Sequence, residues 1–311
     1  MSFIFQSGMY EGRLNWILSD FHLGISKIID LGNKMDINEV DALEYLAEDP
    51  DTEVIAIHLE TVKGNGTKFV QLLKNASREK PIVVLKSGRT PDGAKAVASH
   101  SGSIAKESDI VFDAILKQAG VIRARGLEDF LDFAKAFAFL TPPDGDKIVV
   151  ASLSGGEGVV ATDMCLQDGF SMAEPGQRTY DRIKAVFPSW QIPLNPFDLG
   201  VCVQFHRTDK VYDVLLESML DDEDVHCMAI QLPASVFVFG AEDFCRSFMM
   251  AKEKGKPVVV WRPVTGKADA ALVEKLELGG VPVYPSAARA IKALSVVHRY
   301  NQSNLSFAQV L

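Results

Sequence analysis

His100 stands in a run of small and hydroxylated residues, Ala98, Ser99, His100, Ser101, Gly102, Ser103, Ile104 and Ala105, shortly after Lys86, Ser87, Gly88, Arg89 and Thr90. An imidazole in such a flexible, accessible segment is a nucleophile near neutral pH and can carry a phosphoryl group for a short time. A surface histidine in a polar loop has the same local sequence, so the rest of the chain must decide between the two. Glu60 closes the apolar run Val54, Ile55, Ala56, Ile57, His58, Leu59, which reads as a strand. A carboxylate at the carboxyl end of a strand in a doubly wound sheet lies on the edge where ligands bind. There it can take a hydrogen bond from one imidazole nitrogen and leave the other to attack phosphorus; the alternative is a solvated loop carboxylate. Lys86 and Arg89 are candidate phosphate-stabilising groups, a point charge and a fork of donors, or else exposed basic residues at a strand end.

Two glycine turns add a second kind of chemistry. Phe3, Ile4, Phe5 runs into Gln6, Ser7, Gly8, Met9, and Leu14, Ile17, Leu18 and Phe21 then recur at helical spacing. Residues 148–151 form a second apolar strand, followed by Ser152, Leu153, Ser154, Gly155, Gly156, Glu157, Gly158 and a helical pattern. The first turn of a helix leaves backbone N–H groups unpaired at the positive end of its dipole, so small residues there admit a phosphate. Ser7, Gly8 and Met9 form one candidate anion site, and Ser154, Gly155 and Gly156 the other. Either alone could be only a tight connection. If the two copies pack about a pseudo-twofold axis, the two helix starts serve one phosphate from opposite sides.

The elements that must position these residues are repeated. Residues 51–60 are similar to 222–233, and 79–85 to 255–261, so the chain is a tandem of related domains. Strands are predicted at 3–5, 25–30, 54–59, 82–86 and 121–123, then at 148–151, 227–232, 258–261 and 281–284. Alternation with helical stretches predicts two doubly wound α/β domains with mainly parallel sheets. The helix expected over 127–140 closes the first domain. Thr141, Pro142, Pro143, Asp144, Gly145 and Asp146 form the linker, giving domains at 1–141 and 146–311. Where the first copy has Glu60 the second has Pro233, and the His100 segment has no second counterpart, so the chemistry belongs to the first copy.

Composition agrees. A chain of 311 residues with 47% hydrophobic content suits two cores. A net charge of −9 argues against a broad nucleic-acid footprint, so anions must be held by local geometry. Cys165, Cys202, Cys227 and Cys245 lack any CxxC pairing and read as reduced structural thiols of a cytoplasmic protein, with no metal site. His206, His226 and His298 show no ligand spacing and read as incidental. The helical run 241–253, with Phe244, Phe248, Met249 and Met250, reads as packing. No stretch is long and apolar enough for a membrane span, and no signal peptide is expected.

The ordered set Gln6, Ser7, Gly8; Leu31, Gly32, Asn33; Leu59, Glu60; Leu85, Lys86, Ser87, Gly88, Arg89; the segment 99–105; Gln118, Ala119, Gly120, Val121; Ser154, Gly155, Gly156, Glu157, Gly158; and Asn195, Pro196, Phe197, Asp198 resembles the NDP-forming acyl-CoA synthetases. These form the ADP-forming acetyl-CoA synthetase branch of the succinyl-CoA synthetase superfamily. The resemblance runs over nearly the whole chain and implies two flavodoxin-like, succinyl-CoA-ligase-type domains. It implies that acyl-CoA and phosphate give an acyl phosphate, whose phosphoryl group passes to His100 and then to ADP or GDP. It makes Glu60 the carboxylate that steadies the histidine, and the two glycine turns the paired phosphate-binding helix starts.

After Ala105 the family commonly has glycine where this chain has Lys106, and Ser152, Leu153, Ser154 departs from the usual residues before the glycine pair. No CoA-binding domain is expected before the first turn and no ATP-grasp domain after the last residue. The chain therefore reads as a fragment or one subunit, inactive alone and expected to be oligomeric. It holds no cofactor of its own; CoA, ADP or ATP and Mg²⁺ are expected in the complete enzyme, with CoA-binding and ATP-grasp domains as partners and acyl-CoA and phosphate as ligands. The alternatives are a regulatory module that senses an acyl-CoA or phosphate metabolite without turnover, and a scaffold with dead sites.

Overall fold

Two parallel sheets organise the chain in a computed structural model, which describes residues 1–8, 22, 24–101, 108–233, 241–262 and 270–308. The first contains β1 (Ser2–Phe5), β2 (Lys27–Asp30), β3 (Ile55–Leu59), β4 (Ile82–Lys86) and β5 (Ile122–Ala124), in the order β2-β1-β3-β4-β5. Every pairing in it is parallel. β3 and β4 are buried at every position, because helices cover both faces of a parallel sheet. The edge strand β2 alternates half-buried and exposed residues. Among the described residues its helices are α1 (Glu39–Glu48), α2 (Gly66–Glu79), α3 (Pro91–Ser101), α4 (Asp109–Gln118) and α5 (Leu127–Phe139).

Successive strand residues point to opposite faces, so this sheet has two packed sides. On one, Ile4, Ile55, Ile57, Leu59, Ile82 and Val84 meet Leu43 and Leu46 of α1, Phe69 and Leu73 of α2, and Phe112 and Leu116 of α4. On the other, Phe3 and Phe5 stack with centroids 5.3 Å apart, and Phe130 of α5 meets Phe5 edge-on at 6.1 Å. Phe130 is fully buried. Phe130→Ala is expected to lower stability by about 3–5 kcal/mol, through lost burial and the cavity left in a close-packed site. An unchanged urea midpoint would show that α5 contributes no core.

The second sheet contains β6 (Lys147–Ser152), β7 (Ser171–Met172), β8 (Phe197–Asp198), β9 (Cys227–Gln231), β10 (Val258–Trp261) and β11 (Val283–Tyr284), in the order β11-β10-β9-β6-β7. β8 pairs with the far end of β6, so two short segments share the place that β2 fills alone in the first sheet. The second sheet's helices are α6 (Gly155–Gln167), α7 (Gln177–Ile183), α8 (Cys202–Phe205), α9 (Thr208–Leu220), α10 (Ala241–Glu253), α11 (Ala270–Leu278) and α12 (Ala287–Ala308). Phe244 and Phe248 of α10 are buried against Tyr212.

Every strand expected from the sequence is present, within a residue or two at its ends. β2 begins at Lys27 rather than 25, and β11 at Val283 rather than 281. β7 and β8 have no counterpart among the expected strands, since two residues carry no periodicity. The chain divides into two compact units, Met1–Ala138 with Tyr300–Leu311, and Phe139–Arg299. That break lies earlier than the proline-rich linker, and the chain's end groups with the first unit. Tyr300 accounts for the grouping: its hydroxyl donates to the Ser77 carbonyl at 2.6 Å and its ring meets Phe137 edge-on at 5.3 Å.

Candidate functional site

Glu60 directly follows β3, where Gln6 follows β1, and β1 and β3 are the neighbours at which the strand order reverses. In open α/β sheets the crevice beyond the carboxyl ends at this switch point is the ordinary ligand site. His100 reaches it from α3. Thr90 caps that helix, its hydroxyl accepting from the Gly93 N–H at 3.1 Å, and Pro91 and three alanines favour its first turns. The sequence places His100 in a flexible loop; the structure places it in the last helical turn. Among α3 residues 91–100 only Val97 is buried. Residues 102–107, which include the rest of the small-residue run, lie outside the described residues.

His100 Nδ1 is 3.1 Å from Glu60 Oε1, with the imidazole 60% exposed and the carboxylate side chain 7% exposed. An ionised carboxylate only accepts, so the contact places a proton on Nδ1 and leaves the lone pair on Nε2. The imidazole is thus oriented and accessible, and an accepting carboxylate beside Nδ1 favours the Nδ1–H tautomer.

Lys86 does not sit as an exposed strand-end residue. It is buried, and its ammonium donates to the Glu60 carbonyl at 2.5 Å and the Ser87 carbonyl at 2.9 Å. The strand end is covered, so the charge must find acceptors within the protein. Arg89 remains partly exposed and pairs with Asp109 at 3.4 Å, while the same carboxylate pairs with Arg123.

The two glycine turns have corresponding surroundings. The strand registers equate Phe5 with Ser152 and Asp30 with Asp198, and hence Gly8 with Gly155. A Cβ on Gly8 would stand 2.6 Å from Asp30 Oδ2, and one on Gly155 3.1 Å from Asp198 Oδ2. Each aspartate also accepts a backbone N–H two residues on, from Gly32 at 3.0 Å and Gly200 at 2.9 Å. Ser154 begins α6 with no side-chain cap bond, and Ser154, Gly155 and Gly156 are exposed. Ser7 and Gly8 are half-buried and exposed; Met9 lies outside the described residues.

Sequence reasoning missed the buried polar groups behind Glu60. His58, on β3, bonds through Nε2 to the Ser87 hydroxyl at 2.9 Å. Burial pushes its pKa down to about 4; Glu60 opposes that shift, and Lys34 and Lys86 add to it. An unfolded histidine titrates near 6.5, so between these values the unfolded chain binds a proton that the folded chain refuses. The associated stability is complete above the unfolded value and is lost as pH falls towards about 4. Between pH 7 and 5 the loss is about 2 kcal/mol. His58→Gln is expected to remove that part of the slope, read from urea midpoints at the two pH values; an equal slope in both proteins would place a charged imidazole in the fold.

Lys34 and Glu39 form a buried ion pair at 2.7 Å. Burial disfavours the Glu39 carboxylate, but bonds from Lys34 and the Gly64 N–H outweigh this and hold its pKa below the ordinary value. Elsewhere, His226 Nδ1 accepts from the Lys147 N–H at 3.0 Å and His298 is buried, so these two histidines are structural rather than incidental. Asn195 bonds to Val150, Ile148 and Ala173 backbone groups, fixing the segment before β8. All four cysteines are unpaired and buried. Among the described residues, no group of three or more His, Cys, Asp or Glu could hold a metal ion, and no helix is long and apolar enough to cross a membrane.

The two parallel sheets, the first in the strand order 2-1-3-4-5, define a duplicated flavodoxin-like α/β protein. Residues 1–137 match the family described as succinyl-CoA ligase like flavodoxin domain. The chain is 35% identical over 301 residues to acetate–CoA ligase [ADP-forming] II of Archaeoglobus fulgidus, covering 96% of this chain and 44% of that one. It is 33% identical over 309 residues to the alpha subunit of acetate–CoA ligase [ADP-forming] I of Pyrococcus furiosus, covering 97% and 64%. A solved dinucleotide-forming acetyl-coenzyme A synthetase 1 of Ca. Korarchaeum cryptofilum, in complex with phosphate and ADP, superposes with a TM-score of 0.85 at 32% identity, covering 100% of this chain and 66% of that one. The chain is homologous to the ADP-forming acetyl-CoA synthetases, and it spans about half to two thirds of the length of these relatives.

Proposed function

We propose that this chain is the phosphohistidine-carrying part of an NDP-forming acyl-CoA synthetase, an acid-thiol ligase. The complete reaction converts acyl-CoA, phosphate and NDP to carboxylic acid, CoA and NTP. The observation that carries the reading is the 3.1 Å contact between His100 Nδ1 and the buried Glu60 carboxylate at the β1/β3 switch point. Phosphate displaces CoA from the acyl group, giving an acyl phosphate. The His100 Nε2 lone pair then attacks phosphorus, the P–O bond to the acyl group breaks, and the carboxylate leaves. Attack of an NDP oxygen on phosphohistidine returns the imidazole. Ser7, Gly8 and Met9, and Ser154, Gly155 and Gly156, are the proposed phosphate-binding turns, and Arg89 is the proposed phosphate-stabilising cation.

The CoA-binding and ATP-grasp parts are the proposed partners, in an oligomeric assembly, and they supply the CoA, nucleotide and Mg²⁺ sites. Buried unpaired thiols suit a cytoplasmic setting. The test mixes this chain with its ATP-grasp partner, γ-labelled ATP and Mg²⁺. Acid-labile, base-stable label on this chain is expected. Binding of an acyl-CoA or phosphate without label would replace the enzyme by a sensor.

A further inference from the structure

The five residues that follow β3 are held by side chains from four other parts of the first unit. The Gln6 side-chain oxygen, beyond β1, accepts from the N–H groups of Glu60 at 2.8 Å and Thr61 at 3.2 Å. Lys86, at the end of β4, donates to the Glu60 carbonyl at 2.5 Å. Lys34, beyond β2, donates to the Thr61 carbonyl at 2.5 Å. Glu39, opening α1, accepts from the N–H groups of Lys63 at 2.8 Å and Gly64 at 2.7 Å, and pairs with Lys34. All four side chains are at least nine-tenths buried. A loop normally leaves its backbone groups to water; this one has them fixed inside the protein.

The same positions in the second unit do something else. The registers equate Glu60 with Pro233, Gln6 with Leu153 and Lys86 with Arg262. Leu153 offers no side-chain acceptor. The bridge between the two central strand ends there runs the opposite way, with Gln231 accepting from the Leu153 N–H at 2.7 Å and donating to Glu157 at 2.8 Å. The second unit therefore fixes its glycine turn, while the first fixes the residue that faces the histidine.

Resting on the phosphohistidine reading, we infer that Gln6 and Lys86 are positioning residues for Glu60, clamping its N–H and carbonyl so that one carboxylate oxygen meets His100 Nδ1. Lys86 acts through Glu60 and not by touching phosphate. Glu60 Oε2 is buried with no hydrogen-bond partner among the described residues, so among these it is the backbone clamp and the imidazole that hold the carboxylate. Gln6 also adjoins Ser7, which joins the phosphate-binding turn to the same clamp.

The test is single-turnover transfer from acetyl [³²P]phosphate to this chain. In that step N–P forms, P–O to acetyl breaks and acetate leaves. Lys86→Met and Gln6→Met are each expected to lower the saturating rate roughly 10- to 100-fold with the half-saturating acetyl phosphate concentration unchanged, as misplacement of an orienting group does. Each is expected to cost nothing further when combined with Glu60→Gln, because both act through that carboxylate. A raised half-saturation with an intact saturating rate would make Lys86 a direct phosphate ligand. Losses that multiply with Glu60→Gln, or wild-type rates in both variants, would overturn the clamp. Circular dichroism identifies a variant that fails to fold, and the other then carries the same comparison. If the wild-type chain takes label neither from acetyl phosphate nor from ATP with the ATP-grasp partner, the phosphohistidine reading itself has failed.

Discussion

His100→Asn is expected to abolish acid-labile, base-stable labelling, a loss of roughly 10⁵-fold or more, because the variant has no group that can form an N–P bond in its place. Asparagine has a comparable polar bulk and can still meet Glu60, so the helix and the carboxylate are disturbed little. The imidazole is more than half exposed and lies on a helical turn that does not pack into the core, so the melting temperature should change little. Labelling and melting of the same preparation separate the loss of a nucleophile from the loss of a fold. Persistent base-stable label in the variant would move the carrier to another residue.

Glu60→Gln has the second-largest expected effect, roughly 10³- to 10⁴-fold on the rate of labelling. A carboxylate fixes the proton on Nδ1, whereas an amide presented through its NH₂ would donate to Nδ1 and move the proton to Nε2, the atom that must attack. Presented through its oxygen, the amide keeps the tautomer but no longer stabilises the imidazolium character that develops on phosphorylation. Glu60→Asp keeps the charge and withdraws it along a shortened side chain, so an intermediate loss of about 10²-fold is expected. Equal rates for Glu60→Gln and wild type would reduce Glu60 to a structural carboxylate.

Much of the architecture is legible because it rests on local apolar runs. Residues 54–59 and 82–86 are nearly continuous Val, Ile, Leu and Ala, the composition of strands buried on both faces, and they form β3 and β4. β7 and β8 are invisible because two residues cannot show a period. His100 reads as a loop residue because serines and glycine surround it, yet the Thr-Pro start and three alanines upstream carry a helix as far as Ser101. The burial of Lys86 is equally hidden: its ammonium donates to backbone carbonyls, which leave no mark in the sequence.

The sequence by itself determined that the chain is a duplicated parallel α/β protein, with a histidine and a carboxylate available in the first copy alone. Periodicity, turn residues and the divergence between copies are properties of residue type and order, and folding does not alter them. Tertiary structure decided the rest. Gln6 and Glu60 are 54 positions apart, Lys34 and Thr61 27, and His100 and Glu60 40. Strand order brings Gln6, Lys34 and the segment after β3 together, because parallel neighbours deliver their carboxyl ends to one edge however long the crossover between them, and α3 carries His100 to the same place.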